Sequence, residues 1–212
     1  MGERRDVWDL PTRVFHWALA ALVVFSFVTG KIGGSWMEWH MRSGYAILTL
    51  LLFRIAWGFA GSPSARFARF LRGPRAVLAH GREVLGGSRS YPAGHNPLGG
   101  WMVVAMLAIL LLQAATGLFS NDESSHEGPL ARMVSNALVD RMSVIHSFNE
   151  WLIVGAVCLH LAAVAFYQGR LKVDLVGPMF FGRSEPRTTL FGLALMLAAS
   201  AAVYALVVIY PR

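Results

Sequence analysis

Four of the seven histidines in the chain, His16, His40, His146 and His160, stand in or at the ends of strongly apolar runs. An ionisable side chain placed in hydrocarbon is costly and marks a functional position by default. Taken singly, each can be read as a hydrogen-bonded packing residue; taken together they form a pattern. His146 and His160 are fourteen residues apart, four turns at 3.5 residues per turn. They therefore share one face of a slightly supercoiled helix, about 21 Å apart along it. His16 opens one apolar run and His40 opens the next, which runs back the other way. Depth alone then pairs His16 with His160 and His40 with His146. Two imidazoles on facing helices, repeated at two depths, suit a planar cofactor held axially. Structural zinc gathers four ligands within short local spacings, whereas each depth here offers two. That favours haem iron, whose four equatorial positions are filled by the porphyrin. Cys158 is the single cysteine and no Cys-x-x-Cys-His occurs, so any haem is held by ligation alone.

Other residues join this set more weakly. Arg54 interrupts the apolar run of residues 48–60, fourteen residues after His40 and so on the same face at the opposite depth. It can snorkel to the headgroups, or pair with the carboxylates of a haem. Gly30 lies fourteen residues after His16, and Gly44 one turn after His40. Both would let a macrocycle approach the backbone, although glycine also serves close helix packing. His95 and Asn96, in Gly-His-Asn-Pro-Leu-Gly-Gly (94–100), are candidates for a quinone or a haem propionate. His80 and His126 read as solvated loop residues.

The elements that position these groups are membrane spans. The chain has 212 residues, of which 55% are hydrophobic and 15% charged, with a mean hydropathy of +0.50; about 25% charged is usual for a soluble protein. Apolar runs of roughly spanning length fall at Val14–Gly34, His40–Gly61, Trp101–Ser120, His146–Gln168 and Leu190–Tyr210. The stretch ahead of the first run shows no A-x-A-like cleavage site and reads as leading into a retained span. The expected organisation is a four-helix core over 1–168 with a basic interfacial segment at 62–95, a cytoplasmic loop at 169–189, and an additional transmembrane helix at 190–212.

Basic residues collect on one side: Arg4, Arg5 and Arg13; Arg66, Arg69, Arg72, Arg75, Arg82 and Arg89; Arg170, Lys172, Arg183 and Arg187. The positive-inside rule puts that side and the N-terminus in the cytoplasm, and five spans put the C-terminus in the periplasm. The net charge of +7 is explained by orientation, which excludes nucleic acid as a partner. Residues 65–85 interleave Phe67, Phe70, Leu71, Val77, Leu78 and Leu85 with arginines, the pattern of a basic helix lying on anionic lipid.

Val-Trp-Asp-Leu-Pro-Thr-Arg-Val-Phe-His-Trp (7–17), Gly-His-Asn-Pro-Leu-Gly-Gly (94–100), Gln-Ala-Ala-Thr-Gly-Leu-Phe (113–119) and the His146/His160 pair together resemble the bacterial cytochrome b561 family. That family is related to the b-type subunits of nickel–iron hydrogenases and formate dehydrogenases. The resemblance covers about residues 6–168. It implies an all-α membrane protein, a four-helix bundle holding two b haems, with His16, His40, His146 and His160 at the ligand positions. It also implies electron exchange with the quinone pool of a bacterial inner membrane. The other redox partner is then a periplasmic c-type cytochrome or redox enzyme. A second reading is a self-contained oxidoreductase that reduces quinone with a small periplasmic reductant such as superoxide, steered by Arg42, Arg132 and Arg141. The fifth run lies beyond the resemblance. Its small residues point to packing on the core or to an oligomer.

Overall fold

The computed structural model describes residues 8–86, 96–122, 126–181 and 186–210, and all regular structure among them is helical apart from one isolated bridge between Asn121 and Glu127. His95 lies outside the described residues. Helix α1 (Leu10–Ile32) begins at Asp9, whose Oδ1 accepts a hydrogen bond from the Thr12 amide at 2.7 Å, with Pro11 in the first turn. These are the side chains that satisfy or remove the unpaired amides of a helix start. The helix ends at Gly33 and Gly34, with φ of +68° and +55°, a left-handed pair that a residue with a Cβ rarely adopts. A single 3-10 turn (Gly34–Trp36) then leads straight into α2 (Met37–Ala60), so α1 and α2 form a tight antiparallel hairpin.

Two short helices, α3 (Phe67–Phe70) and α4 (Pro74–Leu85), carry the arginines and form the basic end of the molecule. Helix α5 (Pro97–Gly117) is capped by Asn96, whose Oδ1 accepts from the Gly99 amide at 2.7 Å. Then comes α6 (Asn136–Gly169), followed by α7 (Gly177–Phe180) and α8 (Pro186–Tyr204), which continues as a π-helical turn over Ala205–Ile209. Five stretches are long and apolar enough to cross a membrane: Leu10–Ile32, Gly34–Ala60, Pro97–Gly117, Asn136–Gly169 and Arg187–Ile209.

Each helix starts three or more residues ahead of the apolar run read in the sequence. Polar caps and first turns belong to the helix but not to the hydrocarbon. The difference is greatest for α6, which has 34 residues and begins ten residues before His146. At 1.5 Å per residue it measures about 51 Å, against about 30 Å of hydrocarbon. Its first turns carry exposed Asp140 and Arg141 and project past the membrane at the end away from the arginines.

Helix α2 is central, packed on α1, α5 and α8, and Leu51, Phe53 and Trp57 are fully covered there. Asp9 ties the hairpin shut at the basic end. Its second oxygen accepts hydrogen bonds from Trp57 Nε1 at 3.3 Å and from Ser62 Oγ. Helix α6 pairs with α5 and contributes few buried side chains of its own.

The fifth spanning helix, α8, lies on α2 and α1. Phe191 packs against Trp57 with ring centroids 5.7 Å apart, and Ala199 and Val203 are buried. Its small residues divide between two faces: Gly192 and Ala199 turn inward, while Ala194, Ala198, Ala201 and Ala202 stay exposed. His80, expected in solvent, is buried, with Nε2 3.0 Å from the Tyr167 hydroxyl of α6. The reason is that α4 lies against the bundle, packed on α5, and not free of it. His126, likewise expected to be exposed, is half-buried with Nδ1 3.2 Å from Asp122 Oδ2.

A Cβ added at Gly192 would stand 2.8 Å from Pro11 Cγ. Gly192→Leu should therefore cost about 1–3 kcal/mol through overpacking. Ala198→Leu, on the exposed side, should stay within about 0.5 kcal/mol. Thermal unfolding in mild detergent, followed by circular dichroism, reads both. Equal losses would mean that α8 is not seated through Gly192.

Candidate functional site

The four histidines come together as two pairs. His16 of α1 faces His160 of α6 with ring centroids 6.4 Å apart, and His40 of α2 faces His146 of α6 at 6.0 Å. Imidazoles bound through Nε2 at about 2 Å have their ring centres about 3 Å from a metal, so two on one axis stand about 6 Å apart. Both separations match that spacing. Among the described residues no group of three or more His, Cys, Asp or Glu side chains could hold a metal ion. A lone ion would find only two protein ligands at either depth, whereas a metal already carried in a macrocycle needs only two.

The pair at the far end, His40 and His146, is held from behind. His40 Nδ1 donates to the Ser26 carbonyl at 2.8 Å, with Ser26 Oγ at 3.3 Å. His146 Nδ1 donates to the Gln113 carbonyl at 3.0 Å, with Thr116 Oγ1 at 3.2 Å. A carbonyl can only accept, so in both rings the proton sits on Nδ1 and Nε2 is free to bind a metal. Asn149, one turn after His146, fixes the register of α6 on α5. Its Nδ2 donates to the Ile109 carbonyl at 3.0 Å and to Gln113 Oε1 at 2.8 Å. Lys31 of α1 pairs with Glu150 of α6, tying the hairpin to α6 beside this pair.

Glycines make room for the rings. A Cβ on Gly30 would lie 2.8 Å from His40 Nδ1, and one on Gly117 would lie 3.0 Å from His146 Cε1. Gly30 was expected to face a macrocycle; it lies against the ring of His40. Gly44 has no atom within 4 Å of where its Cβ would stand, so a side chain one turn after His40 would meet open space.

The pair at the basic end is arranged differently. His16 lies edge-on to Trp17, with centroids 5.0 Å apart, and its buried Nδ1 has no hydrogen-bond partner among the described residues. Trp17 stacks on Phe180 of α7 at 4.5 Å and donates through Nε1 to the Met179 carbonyl at 3.2 Å. Arg13 donates to the Phe180 carbonyl at 3.2 Å. Arg13 and Trp17 of the run from Asp9 to Trp17 thus dock α7 beside His16.

Arg54 does not snorkel. It is 2% exposed, its guanidinium stacks over Phe67 at 5.0 Å, and its buried Nη1 has no hydrogen-bond partner among the described residues. A buried guanidinium nitrogen left unpaired is expensive, and an anionic group arriving with a cofactor would satisfy it. Asn96 is committed through Oδ1 to capping α5.

Sequence reasoning missed Ser26, Gln113, Thr116, Gly117 and Asn149 as parts of the site. Gln113, Thr116 and Gly117 stood in a motif quoted only for resemblance. The readable signal was polar residues inside spans: Gln113 and Asn149 interrupt runs that are otherwise apolar, and such groups mark interhelical hydrogen bonds or function.

A family model described as prokaryotic cytochrome b561 matches residues 7–182, so the match includes all four histidines and Arg54. No curated protein and no solved structure matches the chain.

Because a Cβ at Gly30 or Gly117 would crowd these rings, Gly30→Val and Gly117→Val should each displace one imidazole of the far-end pair. If each pair holds a haem, the visible band of the far-end one should be lost or strongly reduced, with the other band kept. Spectra of the purified variants decide this; two full-strength bands in both would show that the rings have room to shift.

Proposed function

Because the chain belongs to the prokaryotic cytochrome b561 family, and so carries electrons across a membrane by way of b-type haem, we propose that it holds two such haems and exchanges electrons between the quinone pool and a periplasmic redox partner. The observation that carries this reading is the pair of histidine sets, 6.0 and 6.4 Å between ring centroids, at two levels along one face of α6. A b haem held by two histidines would supply one-electron chemistry, with no vacant position on its iron for oxygen. The chain's own part is placement. His16 and His160 form the ligand set near the cytoplasmic face, and His40 and His146 the set near the periplasmic face. The fourteen-residue spacing holds the two sets about 21 Å apart along α6. The unpaired Nη1 of Arg54 is offered to a haem propionate. Lipid-facing apolar helices keep water and protons away from the path.

The quinone site belongs, on this reading, at the cytoplasmic interface, on the side of the His16/His160 set, with Asn96, Arg54 and His95 as its candidate residues. With its Oδ1 engaged by Gly99, Asn96 has its amide nitrogen to offer a quinone oxygen. The rival reading, oxidation of a small anion such as superoxide, draws no support from the electrostatics. Arg42 pairs with Glu38 and Arg132 with Glu127, so two of the cations that would steer the anion are already met by carboxylates. Helix α8 lies outside the ligand sets and offers its exposed alanine face to lipid or to a second copy of the chain.

Two measurements test this. The pyridine haemochrome assay should give two non-covalent haems per chain. His16→Ala and His160→Ala should remove one spectral component, and His40→Ala and His146→Ala the other. One haem per chain, or depletion of the same component by His16→Ala and His146→Ala, would sink the pairing. For the quinone, His95→Ala combined with Asn96→Asp keeps an acceptor to cap α5 and removes the donor. Quinol-driven haem reduction should slow at least tenfold with both bands intact. Unchanged kinetics would move the site to the periplasmic interface or rule these two residues out.

A further inference from the structure

The arginines of α3, α4 and the turn between them form a surface that the histidine pairs do not use. Arg69 is on α3, Arg72 lies in the turn, and Arg75 and Arg82 stand on α4. All four are exposed, and none has a carboxylate within ion-pair distance among the described residues. Glu83 is the one acidic residue between 65 and 86, and its Oε2 stands 3.9 Å from His80 Nδ1. The rotation of α4 is fixed by its buried side. His80 is buried with Nε2 3.0 Å from the Tyr167 hydroxyl, and Val77 and Val84 on the same side are half-buried. The helical period puts Arg75, Leu78 and Arg82 together on the opposite side, where Leu78 is 65% exposed between the two guanidinium groups.

This surface stands at the level where the spans end. Trp101, in the second turn of α5, donates through Nε1 to the Arg72 carbonyl at 2.9 Å, and indole side chains favour the membrane–water interface. Phe59, in the last turn of α2, is 73% exposed and lies edge-on to Phe67 of α3, with centroids 5.4 Å apart. Phe67 fills the notch at Gly58, where a Cβ would overlap its ring. Helices α3 and α4 are thus seated on the bundle, with Phe59 and Leu78 left as apolar side chains among guanidinium groups. At a bilayer surface such side chains enter the acyl region while guanidinium groups reach the phosphates. A guanidinium meets a phosphate through two parallel hydrogen bonds, and uncompensated positive charge selects anionic over zwitterionic headgroups. Arginines that only oriented the chain would need neither a fixed face nor exposed apolar neighbours.

We propose that Arg69, Arg72, Arg75 and Arg82, with Phe59 and Leu78 as apolar anchors, form a binding surface for anionic phospholipid at the basic end of the bundle. Lipid held there ties α3 and α4 to the ends of α2 and α5, and so braces Phe67 over Arg54. Nothing in this surface depends on how many haems the chain carries or where a quinone binds.

The test uses the purified holoprotein, stripped of lipid in mild detergent. Phosphatidylglycerol or phosphatidylcholine is added back in mixed micelles; native mass spectrometry counts the bound lipid and thermal unfolding is followed alongside. Phosphatidylglycerol should stay bound through washing that removes phosphatidylcholine, and should raise the unfolding temperature more. Each guanidinium near an anionic surface contributes about fivefold in affinity. Arg75→Gln with Arg82→Gln should therefore cut the retained phosphatidylglycerol about tenfold or more, with the visible bands unchanged. Leu78→Asn, which keeps the charge and hence the orientation of the chain, should lower it as well. Equal retention of the two lipids, or full retention in both variants, overturns the proposal. Stabilisation by glycerol phosphate equal to that by phosphatidylglycerol would mean a site for free phosphate. Greater stabilisation by polyglutamate would mean an acidic protein partner, and either result overturns lipid as the occupant. Should the double arginine variant fail to insert, the wild-type comparison and Leu78→Asn still decide.

Discussion

The structure turns on a separation that must be kept open. At two levels α6 stands opposite the α1–α2 hairpin with imidazole ring centres about 6 Å apart. Helices in lipid ordinarily approach as closely as small side chains allow, because packing and polar contacts are what associates them. Here the facing groups are ring nitrogens with vacant lone pairs, and open space lies beside Gly44. The bundle therefore divides into a closed half and an open half. Helices α1, α2, α5 and α8 share a dry core around Leu51, Phe53 and Trp57. Helix α6 rests on α5 and reaches the hairpin through polar contacts.

Those polar contacts are few and specific. Each ties two helices at a place where hydrocarbon offers no substitute partner. Asp9 joins the start of α1 to the end of α2 through Trp57 and Ser62; Asn149 joins α6 to α5 through Ile109 and Gln113; Lys31 joins α1 to α6 through Glu150. Removing one partner of the Asp9 or Asn149 junction leaves a buried group without its hydrogen bond, at about 1–3 kcal/mol. Packing alone would let α6 slide or rotate on α5. The asparagine contact, three residues from His146, holds the ligand face toward the hairpin.

What the sequence made legible follows from periodicity. Fourteen residues between His146 and His160, and the same interval from His40 to Arg54, place side chains on one helix face whatever else the chain does. The number of spans was equally plain, because long apolar runs have few alternative uses. Helix starts were not, since a capping aspartate or asparagine looks like loop until the helix is drawn through it. The groups behind the ligands were hidden for another reason. Two of them are backbone carbonyls, of Ser26 and Gln113, and every residue has one; only the fold selects which carbonyl meets an imidazole. His80 was misread as solvated because its burial depends on where α4 lies against Tyr167, a long-range fact that local polarity does not carry.

Placing His146 and His160 on one uninterrupted helix has a thermodynamic consequence. Helix α6 behaves as a single bar with two hooks. Closing one hook restricts the tilt, rotation and sliding of the bar, and these are the freedoms the second hook must also give up. The entropy of alignment is lost largely once, so the second closure meets a smaller opposing term than the first. With a haem in each pair, as proposed, half-loaded chains should then be scarce at equilibrium, and a population short of haem should divide mainly into full and empty molecules.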